Sequence, residues 1–443
     1  MAKNFMFRLS KAICVVLAIL LGVLLWGTWL ANNNVTTVSA FFGQQSYRVE
    51  NVDGEAIDPI ADVAKENYPW YYKPAHSTLA ELKEDTDRVC EEIEKEGAAL
   101  LFNKSGDYDG NKTALPLKKG SKVSFFSTGS IRPMLAGQGS HGVSSYIKTN
   151  TYVTAFEAAG HEVNETLWNE YMEMHGDPSS TSADRNNEYR RDRQSYPNGS
   201  RPYKLGDIGW DDLYTNNDVA VQESIEEYND AAIFCVTRQG GESVDMWAGE
   251  FAQSDPENAS TDMLKLTPKD RSVLVGLTQL KNEGKIKRII VNLNIANQIG
   301  MEFMLDDDID VDAVIWTGGM GERGIFAEPK LLDGTYNFSG SLPFTVYYDN
   351  WDNPAVANVY NGTEGGGDFN SLMMHYTNLD EFGREPEEHT TSYIVYKEGI
   401  YVDYRYPETR YEDVVTKRSG AGDFKYTDTI AYTHGYGPVS YTH

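Results

Sequence analysis

The chain has 443 residues, with 39 Lys and Arg against 66 Asp and Glu, a formal charge of −27. So acidic a surface repels phosphate backbones and argues against nucleic-acid binding. Apolar content of 40% with 12% aromatics excludes a disordered chain, and three cysteines (Cys14, Cys90, Cys235) exclude a disulfide framework.

Lys3, Arg8 and Lys11 precede an unbroken apolar run from Ala12 to Ala31. At 1.5 Å per residue the run is about 30 Å long, the thickness of a bilayer's hydrocarbon core. The upstream positive charges predict one transmembrane helix, N-terminus inside and the rest of the chain outside. Residues 1–31 therefore read as a signal anchor of a single-pass cell-membrane protein with an extracytoplasmic globular domain. The alternative is a signal peptide cleaved near Val38-Ser39-Ala40 and a secreted product. Residues 32–75 are polar and mixed, a stalk and lead-in to a domain spanning 76–443.

Leu79 to Gly97 reads as a helix stopped by its glycine. A short apolar run from Ala98 to Phe102 follows, then turn residues. Lys122 to Thr128 reads as a buried strand, followed by the glycine-rich stretch 137–142. A helix is expected from Tyr152 to Gly160, and a strand at 161–163. Residues 176–205 are polar and lack apolar periodicity, which predicts a surface insertion. Asp230 to Thr237 is a short apolar strand. Thr267, Pro268 and Asp270 start a helix as N-cap, first residue and capping partner. On that helix Leu274, Leu277 and Leu280 share a face. Lys287–Asn294 and Val311–Trp316 are further strands. Apolar strands alternating with amphipathic helices predict an α/β fold, a mainly parallel sheet with helices on both faces. Functional groups then belong to loops at the carboxyl ends of strands: 238–245, 294–300 and 317–324.

Several motifs lead nowhere. Gly137–Gly142 lacks the endings of a phosphate loop. The run Asp306–Asp312 lacks the glycine and the terminal Glu of a calcium loop, and reads as a solvated acidic turn. His141, His161 and His434 are scattered. No metal and no cofactor is predicted. Tyr404-Arg405-Tyr406 reads either as a sugar-stacking edge or as packing against the sheet.

Other segments, taken together, resemble the C-terminal α/β-sandwich domain of glycoside hydrolase family 3, the family of many β-glucosidases and β-xylosidases. The resemblance begins with Ala98-Ala-Leu-Leu-Phe-Asn, Ala114-Leu-Pro-Leu and the Gly/Ser loop Gly137-Gln-Gly-Ser-His-Gly. Arg238-Gln-Gly-Gly-Glu-Ser-Val-Asp is similar to R-x-x-G-E-G-x-D. Trp316-Thr-Gly-Gly-Met-Gly-Glu-Arg-Gly is similar to W-A-G-x-P-G-Q-E-G. Asn337-Phe-Ser-Gly-Ser-Leu-Pro-Phe-Thr is similar to N-P-S-G-R-L-P-x-T. Glu398-Gly-Ile-Tyr-Val-Asp-Tyr-Arg-Tyr and the terminal Gly435-Tyr-Gly complete the series.

The resemblance implies hydrolysis of β-linked gluco- or xylo-oligosaccharides with retention, which needs two carboxyl groups about 5–5.5 Å apart. In the family the nucleophile is an Asp of a TIM barrel that commonly precedes this domain. Only about 65 residues separate Ala31 from Ala98, too few for a barrel. The expected order is anchor first and sandwich second, with a family 3 barrel downstream or in trans, so the isolated chain is expected to be inactive. The acid/base implied by P-G-Q-E-G falls on Glu322 only with a one-residue shift, Arg323 taking the Glu position. Arg238, Glu242, Asp245 and Arg323 are substrate-binding candidates; for Glu242 and Asp245 a role in holding the loop is the alternative. The alternative to an enzyme component is a non-catalytic carbohydrate- or partner-binding module.

Overall fold

The computed structural model of the protein describes residues 16–17, 19–28, 49–50, 56–57, 76, 78–136, 150–175, 208–238, 264–359, 398–418, 422 and 424–438. The chain divides into two compact units, residues 1–82 and 83–443.

In the first unit, residues 16–17 and 19–28 are helical and expose their apolar side chains, Leu24 and Leu25 among them. No helix among the described residues is long and apolar enough to cross a membrane. The predicted transmembrane helix over 12–31 is therefore not found among the described residues, of which 16–17 and 19–28 are helical. Strands β1 (Val49–Glu50) and β2 (Ala56–Ile57) pair antiparallel.

Helix α1 (Leu79–Gly97) has the predicted bounds. It leads into β3 (Ala99–Asn103), a small hairpin of β4 (Ser105–Tyr108) and β5 (Asn111–Thr113), and β6 (Lys122–Phe126). After the short helix α2 (Thr128–Ile131) come α3 (Tyr152–Ala158), β7 (Glu162–Val163) and α4 (Glu165–His175). Helix α5 (Val219–Glu227) precedes β8 (Ala231–Arg238), and α6 (Pro268–Asn282) precedes β9 (Ile289–Ile295). Strand β10 (Ala313–Trp316) is followed by α7 (Gly321–Gly324) and α8 (Ala327–Leu332). The described chain ends with β11 (Val346–Tyr347), α9 (Pro354–Val359), α10 (Arg405–Val415), α11 (Tyr426–Thr429) and β12 (Ile430–Tyr432).

Six strands form one sheet in the order β3-β10-β9-β8-β6-β7. The pairs from β10 to β7 are parallel, and only the edge strand β3 runs antiparallel, on β10. The four apolar strands read from the sequence thus lie in one mainly parallel sheet, flanked by helices. β9 is buried at every position and β8 at every position but Thr237, as expected of central strands covered on both faces. Helix α6 starts as its sequence dictates: Thr267 and Asp270 form a reciprocal capping box.

The acidic run before β10 departs from expectation. It is not a solvated turn but a paired one. Asp306 and Asp308 bind Arg271 at 2.6 and 2.8 Å, and Lys281 bridges Asp310 and Asp312 at 2.9 Å each. Asp312 is buried and also accepts the Tyr108 hydroxyl and the Ile289 N–H. A buried carboxylate persists only when so satisfied.

Far along the chain, the loop 337–345 packs backbone to backbone. The Gly340 N–H donates to the Ala98 carbonyl at 3.1 Å. A Cβ on Gly340 would sit 2.1 Å from the Gly97 carbonyl oxygen, and one on Gly437 2.3 Å from that of Gly340. Gly340 of the N-x-S-G element and the last glycine of the terminal G-Y-G, Gly437, are therefore required by close approach.

Candidate functional site

The parallel strands β6, β8, β9 and β10 end in loops on one edge of the sheet, the edge where open α/β sheets bind ligands. Residues 137–149 and 239–263 of these loops lie outside the described residues, and Glu242, Asp245 and His141 with them, as does the predicted insertion 176–205.

The loop after β6 begins with a strained residue. Ser127 has φ 75° and ψ 158°, a conformation nearly confined to glycine. Its hydroxyl donates to the Cys235 carbonyl and accepts the Gly129 N–H, and its own N–H donates to the Tyr171 hydroxyl at 2.9 Å. Beyond it, Asn294 of β9 fixes two loops at once. Its amide donates to the carbonyls of Met134 and Gly318, and its oxygen accepts the Met134 N–H. The Gly321 N–H donates to Leu135 at 2.7 Å, so 134–136 and 317–321 form one block. Gly318 and Gly321 take φ of 60° and 72°, which accounts for two of the three glycines of Trp316-Thr-Gly-Gly-Met-Gly.

The three sequence-predicted residues that are described have three separate roles. Glu322, half-buried on α7, accepts the Asn150 N–H at 3.1 Å, and its carbonyl accepts the Asn150 amide at 2.7 Å. It holds the approach to α3. Arg323 pairs with Asp87 of α1 at 2.9 Å and lies over the Phe326 ring. Arg238 is buried at the end of β8, paired with Asp270 at 2.7 Å and donating to the Thr237 and Lys265 carbonyls. It therefore clamps the end of β8 to the start of α6. The structure does not bring Glu322, Arg323 and Arg238 to one point. Arg323 and Asp87 instead line a surface groove of about 410 Å³ between α1 and α8, together with Glu91, Lys330 and Tyr336.

Sequence reading missed a buried polar network beneath this edge. The Asn292 amide donates to Glu328 at 2.9 Å and to the Tyr152 hydroxyl at 3.1 Å, and its oxygen accepts the Thr317 hydroxyl. Burial and the neighbouring Glu94 hold the Glu328 carboxyl well above its ordinary range. Burial pushes Glu94 of α1 up to about 8. Burial also pushes up the Cys235 thiol. The signal was present in Ile-Ile-Val-Asn-Leu-Asn-Ile, where two asparagines alternate inside an apolar strand. Among the described residues no group of three or more His, Cys, Asp and Glu could hold a metal.

Comparisons with known proteins agree with this architecture. Residues 100–404 match the glycosyl hydrolase family 3 C-terminal domain. A β-glucosidase of Ruminococcus albus is 24% identical over 340 residues, 75% of this chain and 27% of that protein. β-Glucosidase 2 of Saccharomycopsis fibuligera is 32% identical over 102 residues, 22% of this chain and 11% of that protein. The crystal structure of a Paenibacillus barengoltzii β-glucosidase superimposes with a TM-score of 0.52 at 21% identity, covering 80% of this chain and 29% of that one. β-Glucosidase 3B of Thermotoga neapolitana, solved with glycerol, gives 0.50 at 20% identity, covering 80% and 38%. At such identities the structures establish a shared fold, and the chain spans about a quarter of the Ruminococcus relative. With the parallel sheet, the carboxyl-edge motifs and more than half its length matched, the chain belongs to the glycosyl hydrolase family 3 C-terminal domain family.

Proposed function

We propose that this chain is the sandwich component of a family 3 glycosidase that hydrolyses β-linked gluco- or xylo-oligosaccharides outside the cell. The observation that carries the reading is the family match over 100–404 on a sheet whose carboxyl edge bears the motif loops. The nucleophile is supplied by a family 3 barrel, and the sandwich adds loops to the rim of its site. The apolar segment 12–31 anchors the protein in the membrane, with the domain on the outer side.

A general acid is needed beside the barrel's nucleophile to protonate the leaving oxygen. Glu322 is already engaged by Asn150, and Arg323 by Asp87. Glu242 and Asp245 belong to the loop after Arg238, whose root is clamped by Asp270. Of the three carboxylates, Glu242 and Asp245 are the better acid candidates, and Glu322 is a loop anchor.

The test is reconstitution. The chain is co-expressed with a family 3 barrel and assayed on an aryl β-glucoside and on cellobiose. Activity is expected only with both halves present. Glu242→Gln is expected to lower turnover of cellobiose far more than that of the activated aryl glycoside, because only the poor leaving group needs a proton. Glu322→Gln is expected to affect both alike. Robust turnover by the chain alone, or no turnover with any family barrel, would overturn the reading. Protease added to intact cells should digest the domain; protection there would reject the topology.

A further inference from the structure

Helix α10 carries an exposed aromatic stripe. Tyr404, at its N-cap, and Tyr411 are seven residues apart. Seven residues of α-helix return to within about 20° of the same face and advance about 10 Å. Tyr404 and Tyr411 are 43% and 52% exposed, and Val415, one turn further on that face, is 60% exposed. Exposed tyrosines in line present apolar ring surface beside a polar hydroxyl, the character of residues enriched at interfaces.

Both rings are held in place. Tyr404 packs against His434 with centroids 5.1 Å apart, and the Arg405 guanidinium lies 5.9 Å from its ring. Asp403, immediately before it, has φ 51°, and its carboxylate accepts the Thr345 N–H at 2.8 Å and meets His434 Nδ1 at 3.0 Å. A non-glycine residue in the left-handed region is locked there by two contacts, which fixes the backbone that presents Tyr404. Tyr411 meets Tyr426 edge-on at 5.3 Å, and the Tyr426 hydroxyl donates to Glu408 on the same helix face, at 2.5 Å. Between the two rings therefore sits a carboxylate able to accept hydroxyl protons.

We propose that this face of α10 binds a β-1,4-linked glucan chain, separately from the carboxyl edge of the sheet. In such a chain every second glucosyl ring repeats its orientation, and that two-residue repeat matches the advance from Tyr404 to Tyr411. Pyranose faces stack on exposed, pre-ordered tyrosines at small entropic cost, and Glu408 and Arg405 offer an acceptor and donors to ring hydroxyls. The site concentrates polymer near the domain. The proposal rests on the reading that the protein acts on β-linked saccharides.

The experiment measures binding of the full chain to cellohexaose by calorimetry and its retention on amorphous cellulose. Tyr404→Ala and Tyr411→Ala are each expected to weaken cellohexaose binding roughly tenfold. Tyr404→Phe and Tyr411→Phe, which keep the ring, are expected to bind within about twofold of the parent. Maltohexaose, a coiled chain, should not compete. The proposal is overturned if the parent chain does not bind cellohexaose, or if the Ala variants bind as well as the parent. It is equally overturned if sedimentation shows that the two tyrosines hold a second copy of the chain. Binding that persists while reconstitution with barrels yields no hydrolysis would strike the catalytic reading alone. Turnover without tyrosine-dependent binding would strike this one alone.

Discussion

Two residues store opposite kinds of tension. Ser127 holds a backbone conformation suited to glycine while its hydroxyl bridges Cys235 and Gly129. Ser127→Ala keeps the strain and loses both bonds. Ser127→Gly loses the same bonds but releases strain of about 1–3 kcal/mol. Urea unfolding should therefore rank the glycine variant above the alanine variant by about 1–2 kcal/mol; equal midpoints would show that the backbone is not strained. Glu94 holds a proton instead. Its carboxyl, raised by burial from 4.5 to about 8, binds its proton more tightly folded than unfolded. The stability it allows is complete below about pH 4.5 and lost as pH rises through 8, and the raised Glu328 acts in the same direction. Unfolding midpoints of the parent should fall between pH 5 and pH 9, and Glu94→Gln should flatten that slope. A parent profile already flat over this range would contradict it.

At the scale of elements, glycine placement separates motif from accident. Gly340→Ala would drive a methyl into the Gly97 carbonyl oxygen, backbone that cannot swing aside, at a cost of about 3 kcal/mol. Gly97→Ala meets nothing within 4 Å and should change stability by less than about 1 kcal/mol. Thermal unfolding of the two variants tests the contrast. The same comparison shows what could be read from sequence. Helix α1, the capping box of α6 and the strands β6, β8, β9 and β10 follow from local periodicity and cap chemistry, and each was legible. The antiparallel course of β3 was not, because Ala98–Phe102 reveals an apolar run without the direction of its partner. Pairings such as Asp87 with Arg323 and Asp270 with Arg238 were hidden for a related reason. Charge identity is local, whereas the partner of a charge is set by tertiary packing. The carboxylates that meet Arg238 and Arg323, two ligand-contact candidates, come from Asp270 and Asp87, and neither partner is marked by its neighbours in sequence.

For the molecule as a whole, the dominant long-range force is its own charge. At −27 the chain repels itself, and salt with a Debye length of about 10 Å at 0.1 M screens that repulsion. Raising sodium chloride from about 10 mM to about 0.5 M should raise the unfolding temperature. A fall would mean that ion pairs such as Arg271 with Asp306 and Asp308 outweigh the net repulsion. The central strand adds a different kind of constraint. One side chain, Asn294, closes hydrogen bonds to Met134 and Gly318 together. Loops on this edge are consequently not interchangeable parts. A segment spliced in at 134–136 must bring its main-chain N–H and carbonyl to the place that 317–321 leaves beside the asparagine, or one of these bonds is lost. Recombination among relatives would succeed when both stretches travel as a pair, a linkage between residues more than 160 positions apart that follows from a single amide.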